Sequence, residues 1–149
     1  MYAPHTVTIY NSVTETDKTT FEETETLYTT ILHGVFLDAS KGVNVRECGF
    51  EGADAVTLYI PFSVEAVDGT TGNAKKYVGP QEFYNAEDKS WLWTLSVKGN
   101  SGTTFFVKGE YVVDSAAAAL GHDDCYNLTT VDMKDFGSAD MQHWECGGK

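Results

Sequence analysis

Residues 56–65 read Val-Thr-Leu-Tyr-Ile-Pro-Phe-Ser-Val-Glu, with apolar side chains at every second place: Val56, Leu58, Ile60, Phe62 and Val64. That spacing is the period of a pleated strand, whereas a helix would space them three and four apart. One face of this segment is therefore expected to enter a core, and the other, with Thr57, Tyr59, Ser63 and Glu65, to meet water or a partner. Pro61 lacks the N–H a ladder needs, which predicts an edge position or a bend there. The remaining segments are expected to be strands gathered around this one.

Upstream, residues 5–11 alternate threonine with Val7 and Ile9 and predict a first strand ended by Asn11 and Ser12. Residues 13–26 carry almost no apolar side chain except Phe21 and are rich in Thr, Glu and Asp, which predicts a long acidic loop or a solvated hairpin arm. An ordered arm of this kind often gains its contacts only in an assembly. Residues 27–37 are ambiguous, since Leu27, Ile31 and Val35 would also suit a helix; their β-branched and aromatic content tips the reading to a strand, with Gly34 as a bulge or a close backbone approach. A turn is expected over residues 38–42, followed by an irregular connection over 43–54.

Residues 68–73, Asp-Gly-Thr-Thr-Gly-Asn, form a loop by composition. A short strand is expected at 75–78, then a short helix opened by Pro80. Residues 91–97 predict a strand that turns at 98–102 and returns at 103–108 as a hairpin. Asp114, an alanine run and Gly121 predict a second short helix. Strands are expected at 125–131 and 141–146, joined by a long turn, with Gly147, Gly148 and Lys149 as a loose end. Short strands, glycine-rich turns and one or two short helices add up to an all-β fold, a small β-barrel or sandwich with long loops.

Composition narrows the function. The 149 residues, 42% hydrophobic and 13% aromatic, suffice for one domain with a real core. Twenty-two acidic residues against 10 basic give a net charge of −12, which opposes wrapping a phosphate backbone and is compatible with a surface that must let nucleic acid pass without sticking. Cys48, Cys125 and Cys146 are odd in number and widely spaced, so three reduced, partly buried thiols are expected. No secretory signal and no bilayer-length apolar run is visible, so folding in a reducing cytosol is expected.

Nothing in the sequence argues for catalysis or for a cofactor. His122, Asp123 and Asp124, with Asp132 and Asp135 nearby, lack the spacing of a calcium loop. The four histidines lie far apart, and no nucleophile elbow or phosphate-cradling loop is present. No catalytic, cofactor-binding or metal residue is nominated. Trp91, Trp93 and Tyr84 are the residues an aromatic platform for carbohydrate would use.

The series Val7-Thr8-Ile9-Tyr10-Asn11, Leu32-His33-Gly34-Val35-Phe36 and Ala53-Asp54-Ala55-Val56-Thr57-Leu58-Tyr59-Ile60-Pro61 resembles a family of small virion proteins of tailed bacteriophages. It continues with Tyr77-Val78-Gly79-Pro80, Trp93-Thr94-Leu95, Phe105-Phe106-Val107-Lys108-Gly109-Glu110 and the ending from His143 to Lys149. The likeness is to head-closure, or stopper, components of the head-tail connector. It implies a small β-barrel that joins copies of itself in a ring in the virion neck, between a portal or adaptor ring and the tail terminator or tail tube. Such a ring has no catalytic role and continues the channel through which packaged DNA passes. It would be built in the bacterial cytoplasm without a membrane partner.

Under this resemblance two segments are candidates to reach into the channel, the acidic stretch 13–26 and the loop 65–76. The second is preferred because its flexible glycines allow movement and Lys75 and Lys76 a contact with phosphate; its candidate residues are Asp68, Gly69, Gly72, Asn73, Lys75 and Lys76. Val7, Ile9, His143 and Trp144 are the candidates for contact with a neighbouring copy, by strand addition at an edge; Trp144 suits an ordinary core equally well. A tail terminator or another tail-completion protein of the same assembly is the nearest alternative, and a carbohydrate-binding module is a more distant one.

Overall fold

The computed structural model describes residues 3–38, 56–97, 102–113, 118–119 and 124–149. The strands are β1 (His5–Thr16), β2 (Glu23–Asp38), β3 (Val56–Pro61), β4 (Glu65–Asp68), β5 (Lys76–Tyr77), β6 (Leu92–Trp93), β7 (Gly102–Lys108), β8 (Cys125–Lys134) and β9 (His143–Gly148). Between them lie one short helix, α1 (Pro80–Asn85), and a single 3-10 turn, Ala139–Met141. The fold is all-β, as the sequence predicts.

The main sheet runs β1-β7-β8-β9-β3-β2, and β2 pairs again with β1, so the hydrogen bonding closes into a barrel-like ring. Closure removes the unpaired edges that an open sheet would present. Val7, Ile9, Leu32, Val35, Leu58, Ile60, Phe106, Trp144 and Cys146 fill its inner side. The small parallel pair β5-β6 and the chain after it add Tyr77, Trp93, Leu95 and Val97 to that core. Phe83 of α1 packs with Val13, Val78 and Leu92 in a second cluster. Pro80 opens α1, where its missing N–H costs nothing.

β1 does not stop at Asn11. It continues to Thr16 because Asn11 is a fully buried core residue whose polar groups are all met. Its Nδ2 donates to the Thr94 carbonyl at 2.8 Å and to Thr104 Oγ1 at 3.0 Å, while its Oδ1 accepts from Thr94 N. The outer face of β1 is covered as well: Thr8 Oγ1 donates to the Gly109 carbonyl and accepts from Tyr111 N, and the Tyr10 hydroxyl donates to the Tyr111 carbonyl. Tyr10, Phe105, Val107 and Ala119 form a separate apolar cluster on that outer side.

Gly34 is the expected bulge. It has no partner between the pairs His5↔Val35 and Thr6↔His33, and its φ is +88°, a conformation in which only glycine is relaxed. A bulge bends its strand, and here the bend separates the part of β2 that pairs with β4 from the part that pairs with β3.

Four expectations need correction. The ten-residue strand at 56–65 is two strands with a turn between them, because the chain bends at Pro61 and Val64 N closes onto the Pro61 carbonyl at 3.0 Å. Phe62 and Val64 nevertheless pack against the main core, which is why the alternation runs through the break. Of the two readings of Pro61, the bend holds and the edge does not, since β2 and β9 flank β3.

Residues 91–97 form a strand only at Leu92–Trp93, and β7 pairs with β1 and β8 instead of forming a hairpin with them. The reason is burial: Trp93, Thr94, Leu95 and Ser96 are all inside, held to Asn11 and Thr104. The long turn at 132–140 is shorter than expected, because β8 continues to Lys134.

Gly147 and Gly148 are not loose. They are buried β9 residues paired with β3 and β8, and a Cβ on Gly148 would sit 2.8 Å from Cζ of the buried Phe106, so a side chain there would collide with that ring. The turn and connection expected at 38–54 fall, beyond Asp38, outside the described residues. So does most of the expected helix at 114–121, of which the described Ala118 and Ala119 are helical.

Candidate assembly surface

The loop after β4 is a polar turn tied together by side-chain and backbone hydrogen bonds. Asp68 Oδ2 accepts from the backbone N and hydroxyl of Thr70, at 3.1 and 2.6 Å, and from those of Thr71, at 2.8 and 2.9 Å. The backbone closes the same turn through Gly72 N to the Asp68 carbonyl and Asp68 N to the Asn73 carbonyl. Gly72 takes a positive φ of 75°, and Gly69 comes so close to β2 that a Cβ there would lie 2.7 Å from Thr29 Cγ2. The glycines thus serve tight closure.

Lys75 completes the lock from beneath. Its side chain is 1% exposed, and its ammonium donates to the Thr29 carbonyl at 3.0 Å and Thr30 Oγ1 at 3.1 Å, 3.3 Å from Asp68 Oδ1. Burial by itself would raise the Asp68 pKa, but the donors of Thr70 and Thr71 and the Lys75 ammonium outweigh it and hold the carboxyl well below the usual range. Burial lowers the Lys75 pKa, and Asp68 opposes that shift.

The expectation of a flexible channel loop with two phosphate-seeking lysines is therefore corrected. Lys75 is spent inside the protein, and of the pair only Lys76 is exposed. Asp68, Gly69, Gly72 and Asn73 form one tied turn.

The segment 13–26 is, by contrast, the hairpin arm of the two alternatives. Every residue from 14 to 26 is exposed, and the β1-β2 pairing continues through Thr16↔Glu23, beyond the last β1-β7 pair at Val13↔Gly102. Five carboxylates (Glu15, Asp17, Glu22, Glu23, Glu25) against Lys18 give the arm a net charge of −4. Its tip is ordered: Phe21 N donates to the Asp17 carbonyl, and Asp17 Oδ1 accepts from Thr19 N at 2.8 Å. The hydrogen bond donated by the Thr19 amide is the main reason the Asp17 pKa is lowered. Phe21 has φ +58° and is 79% exposed. A bulky side chain in the left-handed region costs about 1–2 kcal/mol relative to the ordinary one.

At the root of the arm is a groove of about 820 Å³, lined among others by Leu27, Tyr28, Asp68, Trp91 and Val112. Trp91 and Val112 are exposed there. Trp93 is core and Tyr84 is half-buried with its hydroxyl on the Ser12 carbonyl, so no platform with Trp91 forms.

The candidate contact residues also need correction. Val7 and Ile9 are fully buried, and β1 has neighbours on both edges, so it cannot accept a further strand along that length. β9 is likewise flanked by β3 and β8. Trp144 is core, with its ring 4.4 Å from Tyr77 and 4.5 Å from Phe62 between centroids. His143 is half-buried against Tyr59, with Nδ1 2.8 Å from the Met141 carbonyl. Sequence reasoning missed Phe136, Met133 and Met141, which are large and exposed. The only available signal was apolar residues inside an otherwise acidic turn.

Cys125 and Cys146 are free thiols, and burial, then Asp132 and Glu145, push the Cys146 pKa up to about 12. Among the described residues no three His, Cys, Asp or Glu side chains gather as metal ligands, and no helix is long and apolar enough to cross a membrane. Cys48, His122 and Asp123 lie outside those residues.

A family of unknown function, DUF6751, matches residues 2–149. The chain belongs to that family. The DUF6751 match takes in the arm, the tied turn and the closing strand β9 together, so the surface described here belongs to one family unit. No curated protein and no solved structure matches the chain.

Proposed function

We propose that this protein is a structural virion component of a tailed bacteriophage, one copy in a ring of the head-tail connector that closes the DNA-filled head and joins it to the tail. The observation that carries the reading is the arm. Thirteen consecutive exposed residues, 14–26, stand beyond a ring that is already closed, with an aromatic side chain held at their tip in a strained backbone. A monomer gains no packing from such an arm, and strain of this kind is kept where a contact uses it. The likeness of the strand series to head-closure proteins points the same way.

In this reading the arm and its end of the ring contact the neighbouring component, a portal or adaptor ring on one side or the tail on the other. The net charge of −12 keeps DNA from adhering as it passes. No catalytic step is assigned. A tail terminator or tail-completion role in the same assembly uses the same features.

Deleting the gene and imaging the lysate by negative-stain electron microscopy separates these roles. Empty heads beside free tails of normal length are the expected result. Full heads beside tails of irregular length would mean a terminator, and intact infectious particles would end the connector reading.

A further inference from the structure

The strand directions place several exposed features together. β1 runs toward the arm and β2 away from it. β7 is antiparallel to β1 and so begins at the arm end, β8 finishes there, β9 begins there, and β3 finishes there. The turn from β8 to β9, with Phe136 and Met141, therefore leaves the same end of the ring as the arm, and Met133 is one residue from the end of β8.

Among the described residues six large apolar side chains are exposed, and four of them, Phe21, Met133, Phe136 and Met141, belong to this end. The acids gather there too. The arm carries −4, and the turn adds Asp132, Asp135 and Asp140 against Lys134, a further −2, making −6 in all.

We infer that this end of the ring docks onto a basic surface of a different protein, one whose apolar pockets receive Phe21 and Phe136. Aromatic and Met side chains on otherwise charged ground are the composition of an interface centre, where a few such anchors supply most of the affinity. The surrounding carboxylates select the partner's sign and steer its approach. The same end of a second copy is excluded by that sign, since −6 would face −6. Nucleic acid and an anionic membrane are repelled for the same reason. The inference rests on ring geometry and charge, and it holds whether or not the partner is a virion protein.

The test uses the full chain, expressed in the cells that make it, with the photo-crosslinker p-benzoylphenylalanine at Phe21, at Phe136 or, as a control near the other end, at Glu110. The expected result is one and the same foreign protein crosslinked from Phe21 and Phe136 but not from Glu110, through a peptide rich in Lys and Arg. Adding Glu23→Lys and Glu25→Lys should lower that yield by about tenfold, the scale on which steering charges act, with an unchanged melting curve as the check on folding. Crosslinks to a second copy, to lipid or nucleic acid, to a neutral or acidic peptide, or none above the Glu110 control would each overturn the inference. A basic partner that is absent from virions would leave the inference standing and sink the connector reading. Empty heads on gene deletion without these crosslinks would do the reverse.

Discussion

Lys75→Met keeps the length and apolar stem of the side chain and removes only the ammonium that holds the loop after β4. Three contacts go: to the Thr29 carbonyl, to Thr30 Oγ1 and to Asp68 Oδ1, all inside 3.4 Å. The Thr29 carbonyl keeps the Gly69 N–H, and Asp68 keeps its Thr70 and Thr71 donors, so neither is orphaned. Removing one partner of a buried pair typically costs about 3–5 kcal/mol, but release of the buried ammonium's own desolvation offsets part of this, leaving about 2–3 kcal/mol.

With a urea slope of about 2 kcal/mol/M for a chain of this size, the unfolding midpoint should fall by about 1–1.5 M. Hydrogen exchange at Gly69 and Gly72 should speed up in parallel, because the turn loses its anchor. Asp68→Asn gives the pH arm of the test. The folded pKa of Asp68 is depressed, so its contribution is fully present above the unfolded value of about 3.9 and is lost as pH falls through the folded one. Wild type and Asp68→Asn should therefore differ at pH 6 and converge in strong acid. A Lys75→Met protein as stable as wild type, with unchanged exchange in the turn, would refute the lock.

Asn11→Leu strips the two acceptors and one donor that Asn11 serves in the core, and at about 1 kcal/mol each it should lower the melting temperature by about 6–12 °C. Gly148→Ala drives a methyl group into Phe106 and should cost about 1–3 kcal/mol by overpacking; Gly79→Ala, with nothing within 4 Å, is the matched control in the same denaturant series. Peptide mapping after iodoacetamide at pH 8 should find Cys146 unlabelled in the native protein, since its thiol stays protonated and buried, and labelled once urea unfolds the chain.

The strand periods were legible because binary alternation survives whatever the pairing. The exposure of the segment 13–26 was legible because it offers a core almost nothing, but loop and hairpin arm stayed open until the pairing of β1 with β2 decided for the arm. The points that misled are polar or small residues satisfied from far away in sequence. Asn11 looks like a strand terminator until Thr94 and Thr104 reach it, and Lys75 looks like a phosphate ligand until Thr29, Thr30 and Asp68 surround it. Gly148 looks like a frayed end until Phe106 claims the space where its side chain would be. Val7 and Ile9 were read correctly as strand residues, but no local pattern says that β1 has a neighbour on each side, so the edge role did not follow. The alternation across Pro61 deceived in a different way, since a turn that keeps Phe62 and Val64 on the core side preserves the period while breaking the strand.

The order in which the ring closes bears on how the chain is made. β1 and β2 are neighbours in sequence and can pair as soon as both have left the ribosome, but β3 waits for β9, about ninety residues later. At about 5–20 residues per second that wait lasts several seconds or more, during which the apolar row Val56, Leu58 and Ile60 has one edge unpaired. For this chain the hazard of misassociation lies in synthesis, and a message cut short before β9 should yield aggregate, not a smaller folded protein.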